Sequence, residues 1–179
     1  CLKLEYTDEN PISIKNAIPI VDEEGKKLVP YQFTLRNMCK TNATYQVNLE
    51  VLDTTTFEDL SYIKLELNDK EPILLTENEL VEKTIDNAKV SYSLKRGYLE
   101  QDESKTYTLR LWMDSNTPTS EKYMEKSLKS KVTITGESYP KEIDKTPPIA
   151  NFTTTETEEG ILVDASTSTD NDSGITTYY

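Results

Sequence analysis

Histidine is absent from all 179 residues. That removes the commonest general base and the commonest zinc ligand. Cysteine is nearly absent, with only Cys1 and Cys39. A nucleophilic Cys39 would have no imidazole to make its thiolate. No apolar run approaches the ~20 residues needed to cross a bilayer as a helix, and no leader peptide is visible. Phenylalanine and tryptophan are scarce, at 3 and 1, and the apolar fraction is only 35%, low for a globular chain. Basic residues are outnumbered, with Lys+Arg 20 against Asp+Glu 32 and a formal charge of −12. That balance argues against nucleic acid, whose binding rests on Lys and Arg meeting phosphates. It argues equally against an anionic membrane surface. A charge of this size suits a solvated extracellular surface kept apart from its neighbours.

What the chain has in quantity is alternation. Tyr31, Phe33 and Leu35 alternate with Gln32, Thr34 and Arg36. Tyr45, Val47, Leu49 and Val51 alternate with Thr44, Gln46, Asn48 and Glu50. The pattern returns at Ile63, Leu65 and Leu67, at Val90, Tyr92 and Leu94, at Tyr107, Leu109, Leu111 and Met113, and at Val132 and Ile134. Side chains of a strand point to opposite faces in turn, so each segment has one dry face and one wet face. Tyrosine, present 11 times, buries its ring while keeping its hydroxyl wet, which suits a thin sandwich. The expected fold is all-β: an antiparallel β-sandwich, jelly-roll or Ig-like, plus the start of a second Ig-like β domain.

Strands are expected at about 1–6, at Ile12–Ile14, and at about 31–37, 43–52, 62–68, 89–95, 105–113 and 127–135. Residues 16–30 read as loop, with Pro19, Gly25 and Pro30. Residues 73–86 are ambiguous. Thr76 and Glu79 could form a capping box for a short helix, and strand pairing around Val81 to Ile85 competes with it. One helical turn is expected within 117–126. The domain organisation expected is a sandwich over 1–138, a Pro-containing linker over 139–148, and a partial Ig-like repeat over 149–179. In that repeat, Ile149 to Thr153 and Gly160 to Ala165 read as strands. A chain starting at Cys1 reads as a cut piece.

Few motifs carry chemistry. Cys1 and Cys39 can form a disulfide, favourable in an extracellular chain. Alternatively Cys1 carries a lipid, or pairs with residues upstream. Asp164, Asp170 and Asp172, with Asn171, form an oxygen-rich cluster of the kind calcium accepts. Turn chemistry before Gly174 explains the same residues, and the spacing is not that of an EF-hand. No other cofactor is indicated. Carboxylate neighbours such as Glu23-Glu24 and Asp102-Glu103 are expected on a solvated face of so acidic a chain. Trp112 breaks the alternation and should face away from Leu111 and Met113. There it is a candidate partner or glycan contact, or it packs under a loop. Asn42, Asn151 and Asn171 begin glycosylation sequons, which arise often by chance in a Thr-rich chain.

The span from about residue 2 to 135 resembles the TasA/camelysin-like secreted proteins of Gram-positive bacteria. The residues that carry this are Leu2-Lys3-Leu4, Asn16-Ala17-Ile18-Pro19-Ile20, Asp22-Glu23-Glu24-Gly25 and Pro30-Tyr31-Gln32-Phe33-Thr34-Leu35-Arg36-Asn37. Ala43-Thr44-Tyr45-Gln46-Val47-Asn48-Leu49 and the run from Leu99 through Tyr107 to Met113 complete them. The span Pro147 to Tyr179 resembles the start of a bacterial Ig-like or PKD-type repeat, through Ile149-Ala150-Asn151-Phe152 and Val163-Asp164-Ala165-Ser166. These resemblances imply a jelly-roll-like sandwich that builds surface fibres or biofilm matrix, with spacer repeats. The expected role is a non-enzymatic, secreted or cell-surface structural or adhesive protein. Its partners would be itself, other surface or matrix proteins, or glycans. It would act by strand addition at sheet edges, with residues 1–6 as the candidate exchanged strand. The alternative is a carbohydrate-binding β-sandwich module.

Overall fold

A computed structural model describes residues 1–6, 12–138, 149–157 and 160–169. The chain divides into two compact units, Cys1–Pro140 and Lys141–Tyr179. The expected linker, 139–148, lies outside the described residues.

The first unit is all-β. Its strands are β1 (Leu2–Tyr6), β2 (Ile12–Ile14), β3 (Pro19–Ile20), β4 (Tyr31–Asn37), β5 (Ala43–Leu52), β6 (Ile63–Leu67), β7 (Ile73–Leu74), β8 (Glu79–Val81), β9 (Ala88–Leu99), β10 (Ser104–Asp114) and β11 (Leu128–Ser138). One sheet runs β1-β4-β10-β6-β7, and β3 adds to β10 in parallel at Met113 and Asp114. The other runs β2-β11-β5-β9-β8. Every other pairing in the two sheets is antiparallel. The alternating apolar residues meet between the sheets: Phe33 and Leu35 of β4, Val47, Leu49 and Val51 of β5, Leu109, Leu111 and Met113 of β10, and Val132 of β11 form one buried cluster. Burying each such side chain contributes roughly 1.5–3 kcal/mol, the main favourable term for a sandwich of this kind.

Turn chemistry fixes the connections. Asn68 and Asp69 both adopt positive φ, 55° and 54°, after β6, a conformation that Asn and Asp tolerate best after glycine. Asp102 does the same at 61° between β9 and β10, where Glu103 closes the turn by accepting the Glu100 N–H at 2.7 Å.

Two local expectations change and a third holds. The loop read at 16–30 holds β3 and a single helical turn, α1 (Asp22–Gly25). The ambiguous stretch resolves as β7, a 3-10 turn at Leu75–Glu77 and β8. Leu80 and Val81 pair with Tyr92 and Ser91, so sheet pairing outweighs the capping box at Thr76. At 117–126 the N–H groups of Tyr123 and Met124 both reach Ser120 O, one turn that does not propagate.

The second unit holds an antiparallel hairpin, β12 (Thr153–Thr157) with β13 (Gly160–Asp164). Gly160 adopts φ 140°, and the register pairs Thr157 with Gly160 and Thr153 with Asp164. The first strand therefore starts at Thr153 rather than Ile149, which makes a lone bridge to Thr169.

Candidate functional site

Among the described residues, main-chain groups at one side of the first unit have no strand partner. Cys1 O accepts from Met38 N at 3.0 Å, so odd residues of β1 bond β4. By alternation, the N–H and C=O of Leu2 and Leu4 face away from β4. On β11, Lys129 N–H donates to Thr55 Oγ1 and Lys129 O accepts from it, at 2.9 and 2.8 Å. Thr55 follows β5, so odd residues of β11 face the β5 side. Val132 O points the other way and accepts from Tyr6 Oη at 2.7 Å. The main-chain groups of Ile134 and Gly136 share that outward direction. Strand β2 pairs β11 only at Leu128 to Ser130. Above that point the outward edge of β11 has no strand partner among the described residues.

Two open edges therefore line one slot. Its cavity is about 510 Å³, lined by Cys1, Leu2, Ile134, Thr135, Gly136 and Ser138. Glycine is required at 136, because a Cβ there would lie 2.4 Å from both Leu2 Cδ1 and Thr44 O. The slot closes below through the Tyr6–Val132 bond. Burial pushes the Tyr6 hydroxyl pKa above its usual value, so it stays a donor across the ordinary pH range.

Covalent chemistry pins the β1 wall. Cys1 and Cys39 form a disulfide, with Cα atoms 4.9 Å apart. Asn37 organises the same corner: fully buried, its Nδ2 donates to Thr41 O, Leu99 O and Glu100 O, and its Oδ1 accepts from Cys39 N.

Trp112 is 2% exposed. It does face away from Leu111 and Met113, but α1 covers it. A Cβ on Gly25 would lie 2.3 Å from its Cε2. The covering segment is held by Lys64, which binds both Asp22 carboxylate oxygens at 2.9 Å, and by Arg110 Nε, which donates to Leu28 O at 2.7 Å. The indole thus has no open face for a sugar ring unless α1 lifts, and the packing explanation accounts for it.

Asp164 is the exposed last residue of β13, and its Oδ1 accepts from Ser166 N at 2.9 Å. The Ser166 hydrogen bonds hold its carboxyl below the usual range. Its suggested calcium partners Asp170 and Asp172 lie outside the described residues, as does the sequon at Asn171. Among the described residues no group of three or more His, Cys, Asp or Glu is placed to hold a metal ion, and no helix is long and apolar enough to cross a membrane. Sequence reasoning named β1 but missed Tyr6, Ile134 and Gly136. Gly136, read as the end of the last strand, was the available signal, because glycine inside a strand marks close backbone approach. No family model, no curated protein and no solved structure matches the chain.

Proposed function

We propose that this is an extracellular, non-enzymatic structural or adhesive surface protein that engages partners by pairing a strand at its free sheet edge. The observation that carries this is the slot between β1 and the upper half of β11, with main-chain groups directed into it from both sides. An extended segment placed there would gain roughly 0.5–1.5 kcal/mol per hydrogen bond. The disulfide supports an oxidising location. The resemblance to TasA/camelysin-like proteins points the same way. The donor role expected of residues 1–6 becomes an acceptor role, since β1 is paired to β4 and tied to Cys39. The incoming strand comes from a second copy or from another surface or matrix protein.

Ile134→Pro tests this. It removes an outward N–H while leaving the β5–β11 ladder intact, because proline is tolerated at a sheet edge. Thr135→Pro is the control, since the Thr135 N–H faces β5 and its loss disrupts the fold. Light scattering and electron microscopy across a concentration series should show oligomers or filaments for the native chain and none for Ile134→Pro. A strict monomer under every condition, or assembly indifferent to Ile134→Pro, refutes the mechanism.

A further inference from the structure

Three polar side chains lie buried together on the outer face of the β2-β11-β5-β9-β8 sheet. Leu49 and Val51 of β5 enter the core cluster, so Asn48 and Glu50 take the opposite face. On β9, Tyr92 enters the same cluster, so Ser91 also points outward. Glu50 and Ser91 are register partners, and Asn48 pairs with the next outward residue, Ser93. Asn48, Glu50 and Ser91 therefore hold adjacent positions of one face, and all three are 0% exposed.

Each keeps one polar atom without a hydrogen-bond partner among the described residues: Asn48 Nδ2, Glu50 Oε2 and Ser91 Oγ. Their other polar atoms are fixed. Glu50 Oε1 accepts from Thr84 N, Thr84 Oγ1 and Thr133 Oγ1 at 2.9, 2.6 and 3.1 Å. Asn48 is oriented by a relay that starts at the surface. Arg96 Nε donates to Gln46 Oε1 at 2.7 Å, and Gln46 Nε2 donates to Asn48 Oδ1 at 2.8 Å. Arginine can only donate, so the direction of the relay is set, and Asn48 presents a donor at its buried end. Leaving a buried donor, a carboxylate oxygen and a hydroxyl unsatisfied costs the desolvation of each.

A single water satisfies all three, accepting from Asn48 Nδ2 and donating to Glu50 Oε2 and Ser91 Oγ. Three such bonds are the usual number for a buried water. Facing residues of paired strands have Cβ atoms about 4.5–5.5 Å apart and diagonal ones about 7–8 Å or less, spans that one molecule bonded at about 2.8 Å to each side bridges. A metal ion suits the site less, because Asn48 Nδ2 would turn its protons toward the charge. We infer that this face holds a buried structural water bridging Asn48, Glu50 and Ser91, and that it steadies the carboxylate on which Thr84 is anchored. The site is independent of the strand-pairing slot, so either can fail alone.

The test is a crystal structure of the intact protein at a resolution that shows ordered waters, with amide hydrogen exchange in solution. One density peak should lie at hydrogen-bonding distance, about 2.6–3.2 Å, from all three atoms. Ser91→Val puts a methyl where the hydroxyl stands and should expel the water. Exchange of the Thr84 N–H should then quicken about fivefold or more, while the Leu49 and Val51 amides keep their protection and report an intact sheet. A direct bond between Asn48 Nδ2 and Glu50 Oε2 with no peak beside them overturns the assignment. So does a peak with the shorter contacts of a cation, about 2.3–2.6 Å. Unchanged Thr84 exchange in Ser91→Val overturns the anchoring role.

Discussion

Replacing both Cys1 and Cys39 by serine isolates what the disulfide contributes. The bridge joins residues 38 apart in sequence. Treated as chain entropy, closing a loop of that size removes about 13 cal/mol/K from the unfolded chain, or about 4 kcal/mol at 25 °C. Little else holds the Cys1 end: among the described residues β1 pairs as a strand only with β4, the Tyr6–Val132 bond lies at its far end, and Lys3–Glu5 is an exposed ion pair worth little. Urea unfolding is followed through Trp112, the single tryptophan, whose burial at 2% exposure gives it a large change on unfolding. With a slope of about 2 kcal/mol/M for a unit of this size, the midpoint should fall by about 2 M. Amides of Lys3 and Glu5 should lose exchange protection before those of β5. A midpoint loss below about 0.5 M would refute the reasoning, because it would mean that the unfolded chain gains no freedom when the loop opens.

Gly25→Ala places a methyl where Trp112 ring atoms already stand, at 2.3 to 2.8 Å. Overpacking of this kind costs about 1–3 kcal/mol, and because α1 must lift, indole emission should shift to the red. Unchanged stability and emission would show that α1 does not press on the ring. Hydrogen bonds from Lys122 first, then from Ser61 and Tyr123, hold the Asp59 carboxyl well below its ordinary value of 3.8. A depressed folded-state pKa contributes stability that is present above the unfolded value and lost as pH falls toward the folded one. Between pH 6 and pH 2.5 the native chain should therefore lose on the order of 1 kcal/mol more than Asp59→Asn, after discounting for solvent screening. Equal acid losses in urea melts of the two proteins would refute that account.

The long strands were legible because their signal is local. In β4, β5 and β10 each residue's face follows from its neighbours, and the apolar set of each falls in the buried cluster. Strand β9 was read only to 95 yet runs to Leu99. Lys95, Arg96, Gly97 and Tyr98 show no alternation, but β5 supplies partners from Val47 back to Ala43, across a register shift at Val47/Asn48. Pairing of that sort is decided by the neighbouring strand, which no window on β9 contains.

Glu50 shows the same limit on the wet faces. Alternation puts it toward solvent, and its side chain does point away from the core residues Leu49 and Val51. It is nevertheless fully buried, because Thr84 crosses that face and donates to Glu50 Oε1 through both its N–H and its hydroxyl, at 2.9 and 2.6 Å. Thr133 of β11 donates to the same oxygen at 3.1 Å. Trp112 under α1 is the counterpart on the other sheet. A period of two specifies which face a residue takes, and the long connections then decide whether that face meets water. The β1–β11 slot is the remaining case. Among the described residues β2 pairs β11 as far as Ser130, while β5 pairs β11 through Ser138. The difference between those two pairing lengths leaves that edge without a strand partner among the described residues, and a difference of lengths between non-adjacent strands has no signature in either strand alone.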